Sequence, residues 1–328
     1  PSLDSYARAL KHVYHPVILN HRVNDTMPEI HVVNMKEAME AGENEMICDE
    51  LRDGIALRLA RREQVILLLN RRGFHSLLKC RSCQEVLKCP HCDLAMSYHK
   101  DGRIMKCHTC GYQMRVPVHC PSCHSNAGFT TYGFGTQKLQ EQVEQMFPSA
   151  RIIRMDADTT GKKNAHHDLL TAFGNHEADI LVGTQMIAKG LDYPDVTLVG
   201  IVNGDEGLNR TDYRSCEVTF DLLMQAAGRS GRSEDRGEVI LQVNDPMHYA
   251  VRCAAANDYD SFFTQEMAYR HTVNAPPYTY LISITVSAYS QEKCNTIAGK
   301  MHDGIKGNFI TGGVIELLRK KDLYRSRI

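Results

Sequence analysis

A chain of 328 residues that is 43% hydrophobic has enough apolar material for a full core and enough length for two or three domains. Its 38 Lys and Arg nearly cancel its 39 Asp and Glu, which excludes a uniformly basic nucleic-acid binder and makes any such surface local. No apolar run reaches the roughly 18 residues of a membrane span. The opening PSLDSYARAL lacks the basic head, apolar stretch and cleavage site of a secretory signal, and a first residue Pro1 reads as a piece of a longer protein.

In chain order, Ser2 is placed to cap a short helix through Leu10, and residues 17–23 (VILNHRV) are extended in character. Ile47, Leu51, Ile55 and Leu59 recur every fourth residue, which predicts a helix over 49–63. Residues 64–70 read as a buried strand ahead of Arg71, Arg72 and Gly73. After a cysteine-rich stretch, strands are expected at 129–133, 151–155, 179–184, 196–202 and 238–243. Helices are expected behind Thr136 as cap, with Leu139, Val143 and Met146 on one face, and over 166–173 and 217–227. Short apolar strands separated by helices predict an α/β fold with a parallel sheet covered on both faces, interrupted by the cysteine segment. The chain turns a corner at 274–277. Residues 279–288 then alternate like a half-buried strand, and a helix follows from Gln291.

Eight of the twelve cysteines form four Cys-x-x-Cys pairs, Cys80/Cys83, Cys89/Cys92, Cys107/Cys110 and Cys120/Cys123. With no secretory signal, clustered pairs favour metal over disulfides and point to a cytosolic setting. Each pair presents two thiolates on one side of a metal. Four pairs therefore make two closed tetrahedral zinc sites of structural type, with no position left for catalysis. The spacing leaves the pairing open. Nesting is favoured because an insertion returning to its host sheet needs its ends closed: Cys89, Cys92, Cys107 and Cys110 form one site on a hairpin turning at Asp101-Gly102, and the outer pairs form the other. His91, His108, His119 and His124 lie beside the ligands as alternative donors. From Cys80 to Cys123 six basic side chains face three acidic ones, which permits nucleic-acid contact without demanding it.

Two later stretches carry chemistry, 183–196 (GTQMIAKGLDYPDV) after a strand and 225–232 (QAAGRSGR) closing a helix. Gln-x-x-Gly-Arg-x-Gly-Arg has the form of the sixth motif of superfamily-2 helicases. In such motors a guanidinium from a neighbouring lobe stabilises the charge gathering on the transferred phosphoryl group. No Gly-Lys-Ser/Thr phosphate loop and no DEAH-type box occur in the chain. Residues 199–207 (VGIVNGDEG) imitate the latter with Asp205-Glu206, but sit between the 183–196 stretch and the sixth motif.

The ordered set PSLDSYARA, NRRGF (70–74), the paired cysteines, GFGTQKL (133–139), RMDADTT (154–160), 180–199, 212–232, GEVILQV (237–243) and PPYTYLISI (276–284) resembles the C-terminal part of the primosomal protein N-prime family, the PriA replication-restart helicases of superfamily 2. The resemblance implies a RecA-like second helicase lobe at 47–79 and 124–250, and a zinc insertion at 80–123. It implies the end of the first lobe and a linker at 1–46, and the start of an α+β C-terminal domain at 251–328. It implies that Gln225, Arg229 and Arg232 face ATP on the other lobe, that Lys189, Gly190 and Asp192 couple nucleotide to DNA, and that Gly183, Thr184 and Gln185 lie near DNA. Two structural zincs in the nested pairing are implied, with ATP and Mg as the substrate pair of the longer protein. Implied partners are branched or single-stranded DNA at replication forks, other primosome proteins and single-stranded-DNA-binding protein, with no membrane, in the bacterial cytoplasm at the nucleoid. The implied activity is ATP-dependent 3′-to-5′ unwinding at stalled forks, for which this chain alone is not sufficient. The competing reading is a zinc-dependent nucleic-acid-binding scaffold without ATPase activity, which has no need of paired arginines at a nucleotide interface.

Overall fold

The computed structural model describes residues 1–17, 28–70, 77–99, 102–132, 135–156, 159–160, 165–188, 193–210, 212–228 and 237–328. In chain order the elements are α1 (Leu3–Leu10), β1 (Glu29–Asn34), α2 (Met35–Glu40), α3 (Asp49–Ala60), β2 (Gln64–Leu69) and β3 (Leu77–Cys80). There follow β4 (Ser97–His99), β5 (Ile104–Lys106), β6 (Gln113–Arg115), β7 (Phe129–Tyr132), α4 (Thr136–Met146), β8 (Ile152–Met155), α5 (Ala165–Gly174) and β9 (Ile180–Gly183). The chain continues with β10 (Val196–Val202), α6 (Ser215–Ala227), β11 (Glu238–Val243), α7 (Tyr249–Ala255), α8 (Tyr259–Thr272), β12 (Thr285–Ala288), α9 (Gln291–Ile305), β13 (Ile315–Lys320) and β14 (Leu323–Arg327). They divide into two compact units, residues 1–73 with 135–280 and residues 74–134 with 281–328.

The first unit holds a six-stranded sheet in the order β1-β11-β10-β2-β9-β8, parallel throughout. β2, β9 and β10 are buried along their whole length, as expected where helices cover both faces of a parallel sheet. α3 begins at Cys48, whose sulfur accepts from the Leu51 N–H at 3.4 Å, and Asp49 and Glu50 complement its positive end. It buries Leu51 and Ile55 and stops at Ala60, three residues before the predicted end, because Arg62 turns into the left-handed region.

Three further expectations differ. Thr136 is the first helical residue of α4 rather than its cap. Gly135 takes the cap position, and the Thr136 hydroxyl donates to Asp156 at 2.6 Å. The ladder following the corner at 274–277 starts only at Thr285, where β12 pairs β14, so the alternation read at 279–288 overran the strand by six residues. The domain limits also fall elsewhere. β1, within the segment read as lobe end and linker, pairs β11 residue for residue. α7 and α8, read as the start of the C-terminal domain, bury Val251, Ala254, Phe262 and Met267 in the core of the first unit. Apolar faces that find partners in this sheet's core decide the boundary, and composition along the chain does not reveal them. The extended stretch expected at 17–23 lies, from residue 18 on, outside the described residues.

α6 is tied into this unit by a buried ionic cluster. Arg270 of α8, fully buried, pairs with Glu217 of α6 at 2.9 Å and with Glu266 at 2.8 Å. Glu217 also accepts from the Leu3 N–H at the start of α1 at 2.9 Å, and Tyr249 of α7 donates to Glu266. Phe220 of α6 stacks on Phe262 at 4.1 Å between centroids.

The second unit contains the antiparallel pair β3-β7, the three-stranded sheet β4-β5-β6 and the antiparallel sheet β12-β14-β13, which packs α9. β3 and β7 bring the two ends of the cysteine segment side by side, with Cys80 opposite Phe129. The β4-β5 hairpin passes through Gly102 at φ +81, a backbone angle suited to glycine; Asp101, the other expected turn residue, lies outside the described residues.

Candidate functional site

The cysteine pairs sit on tight backbone knuckles. In three of the four, the N–H of the first cysteine bonds the carbonyl five residues on, and the residue after the second cysteine, or its immediate equivalent, turns left-handed: Gln84 (φ +63), Gly111 (φ +84) and His124 (φ +57). Amides then aim at sulfur. The Cys120 thiol is held down to about 6, first by the N–H of Cys123 and then by that of Ser122. At Cys107 burial pushes the thiol up, but the N–H groups of Cys110 and Thr109, together with the neighbouring thiols of Cys110 and Cys89, outweigh it and leave it at about 7.

Two clusters result, Cys80, Cys83, Cys120 and Cys123 in one and Cys89, Cys92, Cys107 and Cys110 in the other, with the sulfurs of each within 4.8 Å of one another. A regular tetrahedron with metal–sulfur bonds of about 2.3 Å has sulfur–sulfur edges of about 3.8 Å. The observed separations are 3.8 Å for Cys80 to Cys123, 3.7 Å for Cys83 to Cys120 and 3.6 Å for Cys89 to Cys110. These edges are far longer than a disulfide and match a four-thiolate zinc site. The residues present therefore fit two zincs, in the nested pairing. Around the inner cluster only a small apolar group is buried, including Leu78, Leu87, Met96 and Met105. So little core beside two such sites makes metal binding a large share of the module's folding free energy. No histidine joins either cluster among the described residues. His91 instead meets Asp322 at 2.9 Å, His108 lies against the His99 ring, and His119 and His124 are exposed.

Of the residues named for the motor, Gly183, Thr184 and Gln185 lie at the carboxyl end of β9, the edge where open α/β sheets place their ligands. Gly183 ends β9 against the carbonyl of Met155, and a Cβ there would come within 2.6 Å of that oxygen and 2.9 Å of Ile187. This close packing, and not an unusual φ, requires glycine. Thr184 follows, partly exposed, and its carbonyl accepts from Ile187 to start a short 3-10 turn over Gln185–Ala188. The Gln185 amide donates to Asn70 at 3.2 Å, and Asn70 donates to the carbonyl of Gly204 at 2.5 Å. Asn70, buried at the end of β2, thus links the ends of β9, β2 and β10. No role was read for it from the sequence; its only signal was its place as the polar end of an apolar strand.

Beside this chain lies a cavity of about 140 Å³ lined by Asn70, Gln185, Arg210, Asp212, Arg214 and Thr219, among others. Two guanidiniums and two amides offer donors to an anion there, moderated by the one carboxylate. Gln225 is exposed on α6, which ends at Gly228. Lys189, Gly190, Asp192, Arg229 and Arg232 lie outside the described residues, as do 71–74 of the NRRGF stretch and 157–158 of the RMDADTT stretch. Asp205, the imitation of a DEAH acid, is buried and accepts from the N–H groups of Asn244 and Asp245 at 2.8 and 2.9 Å, a structural use of its charge.

Comparison with known proteins agrees with this arrangement. Residues 89–115 match the PriA DNA helicase Cys-rich region (CRR) domain, and residues 124–234 match the helicase conserved C-terminal domain. Replication restart protein PriA of Bacillus subtilis (strain 168) is 45% identical over 332 residues, covering 99% of this chain and 41% of that protein. The protein of the same name from Chlamydia muridarum is 39% identical over 311 residues, 94% of this chain and 41% of that one. Among solved structures, RecG bound to a three-way DNA junction aligns with 78% of this chain and 23% of its own at 12% identity and a TM-score of 0.38, too low for a fold assignment. The chain spans about two-fifths of the length of the curated relatives it matches. With this identity running through nearly all of its residues and both domain matches in place, the chain is similar to the PriA proteins over the part of them that it covers.

Proposed function

We propose that the chain is the second motor lobe and zinc module of an ATP-dependent 3′-to-5′ DNA helicase that acts at stalled or branched replication forks and starts primosome assembly. In this reading Gln225, Arg229 and Arg232 face ATP and Mg bound on the other lobe. Lys189, Gly190 and Asp192 transmit the state of the nucleotide, and Gly183, Thr184 and Gln185 meet the DNA strand. The chain alone does not hydrolyse ATP, since its sequence holds no phosphate loop. Branched or single-stranded DNA, other primosome proteins and single-stranded-DNA-binding protein are its partners, in the bacterial cytoplasm at the nucleoid.

The observation that carries this reading is the joint match to the PriA Cys-rich region and the helicase C-terminal domain in one chain. The donor-rich cavity at the sheet's carboxyl edge, next to Gln185, supports a phosphate backbone as the ligand of that edge. A zinc scaffold without ATPase activity accounts for the cysteines but leaves the helicase match without a use.

The zinc module gives the test. In the full-length protein Cys89→Ser is expected to lower fork unwinding at least tenfold while DNA-stimulated ATP turnover falls less than threefold. The ratio of the two rates on the same fork checks it. Equal loss of both contradicts a role for the module in strand separation.

A further inference from the structure

The fourth knuckle, Cys89/Cys92, is built differently from the other three. It keeps the bond from the Cys89 N–H to the Leu94 carbonyl at 2.9 Å, but Asp93, the residue after Cys92, does not turn left-handed. In the outer site Cys80 receives an N–H from its own knuckle, that of Ser82, at 3.4 Å. Cys92 receives its N–H from Lys321, 229 residues away, at 3.2 Å.

Lys321 and Asp322 form the two-residue turn between β13 and β14, and both are left-handed, at φ +51 and +61. Such a turn matches the twist of a hairpin but favours Asn and Gly. A lysine there is held in a conformation that its side chain disfavours. Surrounding contacts hold it in place. The Asp322 N–H donates to the His91 carbonyl at 2.8 Å, and the Asp322 carboxylate meets the His91 ring at 2.9 Å. The Asp93 N–H donates to the Arg319 carbonyl at 3.1 Å, while the Arg319 N–H returns to the Asp93 carboxylate at 2.9 Å. The Arg319 guanidinium donates to the Pro90 carbonyl at 2.7 Å. Every residue from Pro90 to Asp93 is thus bonded to the turn region, and the turn presents an amide to a metal-ligand sulfur.

We infer that the Arg319–Asp322 turn is an outer part of the inner zinc site, supplying to Cys92 an amide from outside its own knuckle. Arg319 and Asp322 act as positioning residues, and zinc at the inner site in return holds the β12-β14-β13 sheet against the module. The outer site has no such attachment among the described residues. Binding linkage is reciprocal, so the coupling is visible from both ends. The inference rests on the two-zinc reading, and a metal count on the unaltered chain tests that reading separately.

In one arm the full chain carries Cys80→Ser, which leaves the inner site alone. Zinc transfer to a chromogenic chelator is timed with and without Arg319→Ala and Asp322→Ala. Removing outer partners of a metal ligand weakens metal binding about 10–100-fold, and zinc release is expected to quicken at least tenfold. The same pair of substitutions in a Cys89→Ser background, which leaves the outer site, is expected to leave release unchanged. In the second arm the hairpin is untouched, so a failure of its folding cannot mimic the result: amide exchange at Lys321 and Asp322 is expected to quicken at least tenfold in Cys107→Ser but stay as in the unaltered chain in Cys120→Ser. Equal release from the inner site with and without the turn substitutions, or equal exchange in the two cysteine variants, overturns the inference. A metal count other than two in the unaltered chain refutes the two-zinc reading instead.

Discussion

Arg229→Ala in the full-length protein is expected to lower DNA-stimulated ATP turnover by about 10³-fold or more while nucleotide affinity changes little. The reason is electrostatic. Negative charge on the phosphoryl oxygens peaks in the transition state, and a guanidinium placed there from a neighbouring lobe is worth about 10³–10⁵ in rate. The ground state gains less from it, so the loss falls on turnover rather than binding. The frame for such a residue is present: α6 is held by a buried face that includes Phe220, Leu223, Ala226 and Ala227, exposes Gln225, and ends at Gly228, directly ahead of Arg229. Steady-state turnover and equilibrium nucleotide binding, measured side by side, check the prediction. Unchanged turnover removes Arg229 from the finger role, and lost binding with unchanged turnover per bound nucleotide makes it a ground-state contact.

The second large effect is on stability. Arg270→Met strips the buried partner from Glu217 and Glu266, which lie 2.9 and 2.8 Å from its nitrogens. Removing one member of a buried ionic cluster leaves uncompensated charge and costs about 3–5 kcal/mol. Against an ordinary domain stability of roughly 5–15 kcal/mol that is a large fraction. Glu217→Gln is expected to cost less, because Arg270 keeps Glu266 and the amide oxygen still accepts from Leu3. Denaturant unfolding followed by circular dichroism gives both values. If Arg270→Met shifts the midpoint no more than Glu217→Gln, the cluster is not what fastens α6, α8 and α1 together.

The cluster also marks where sequence reading stopped. Strands β2, β9, β10 and β11 were legible because each is a short apolar run, and four Cys-x-x-Cys pairs in 44 residues announced metal. Glu266 is a local i,i+4 partner, but nothing local marks Arg270 as buried: an arginine near a helix end reads as solvated, and only the packing of α6 on α8 adds Glu217. For the same reason α7 and α8 looked like the opening of a new domain. Their apolar residues find partners in a core that also includes α1 and α6, more than 200 residues apart in the chain. Asn70 and Lys321 were invisible on similar grounds, since each acts through a partner more than a hundred residues away, Gln185 for one and Cys92 for the other. The nested pairing of the cysteines lay between these cases. Spacing permitted it, chain closure favoured it, and the sulfur geometry selects it.

Zinc counting on a double variant reaches the nested architecture most directly. The unaltered chain is expected to carry two zincs, and Cys80→Ser combined with Cys120→Ser, which removes ligands from the outer cluster alone, is expected to retain one. A double variant that retains none would mean that Cys80 and Cys120 serve different metals, and would contradict the arrangement on which the module's closure rests.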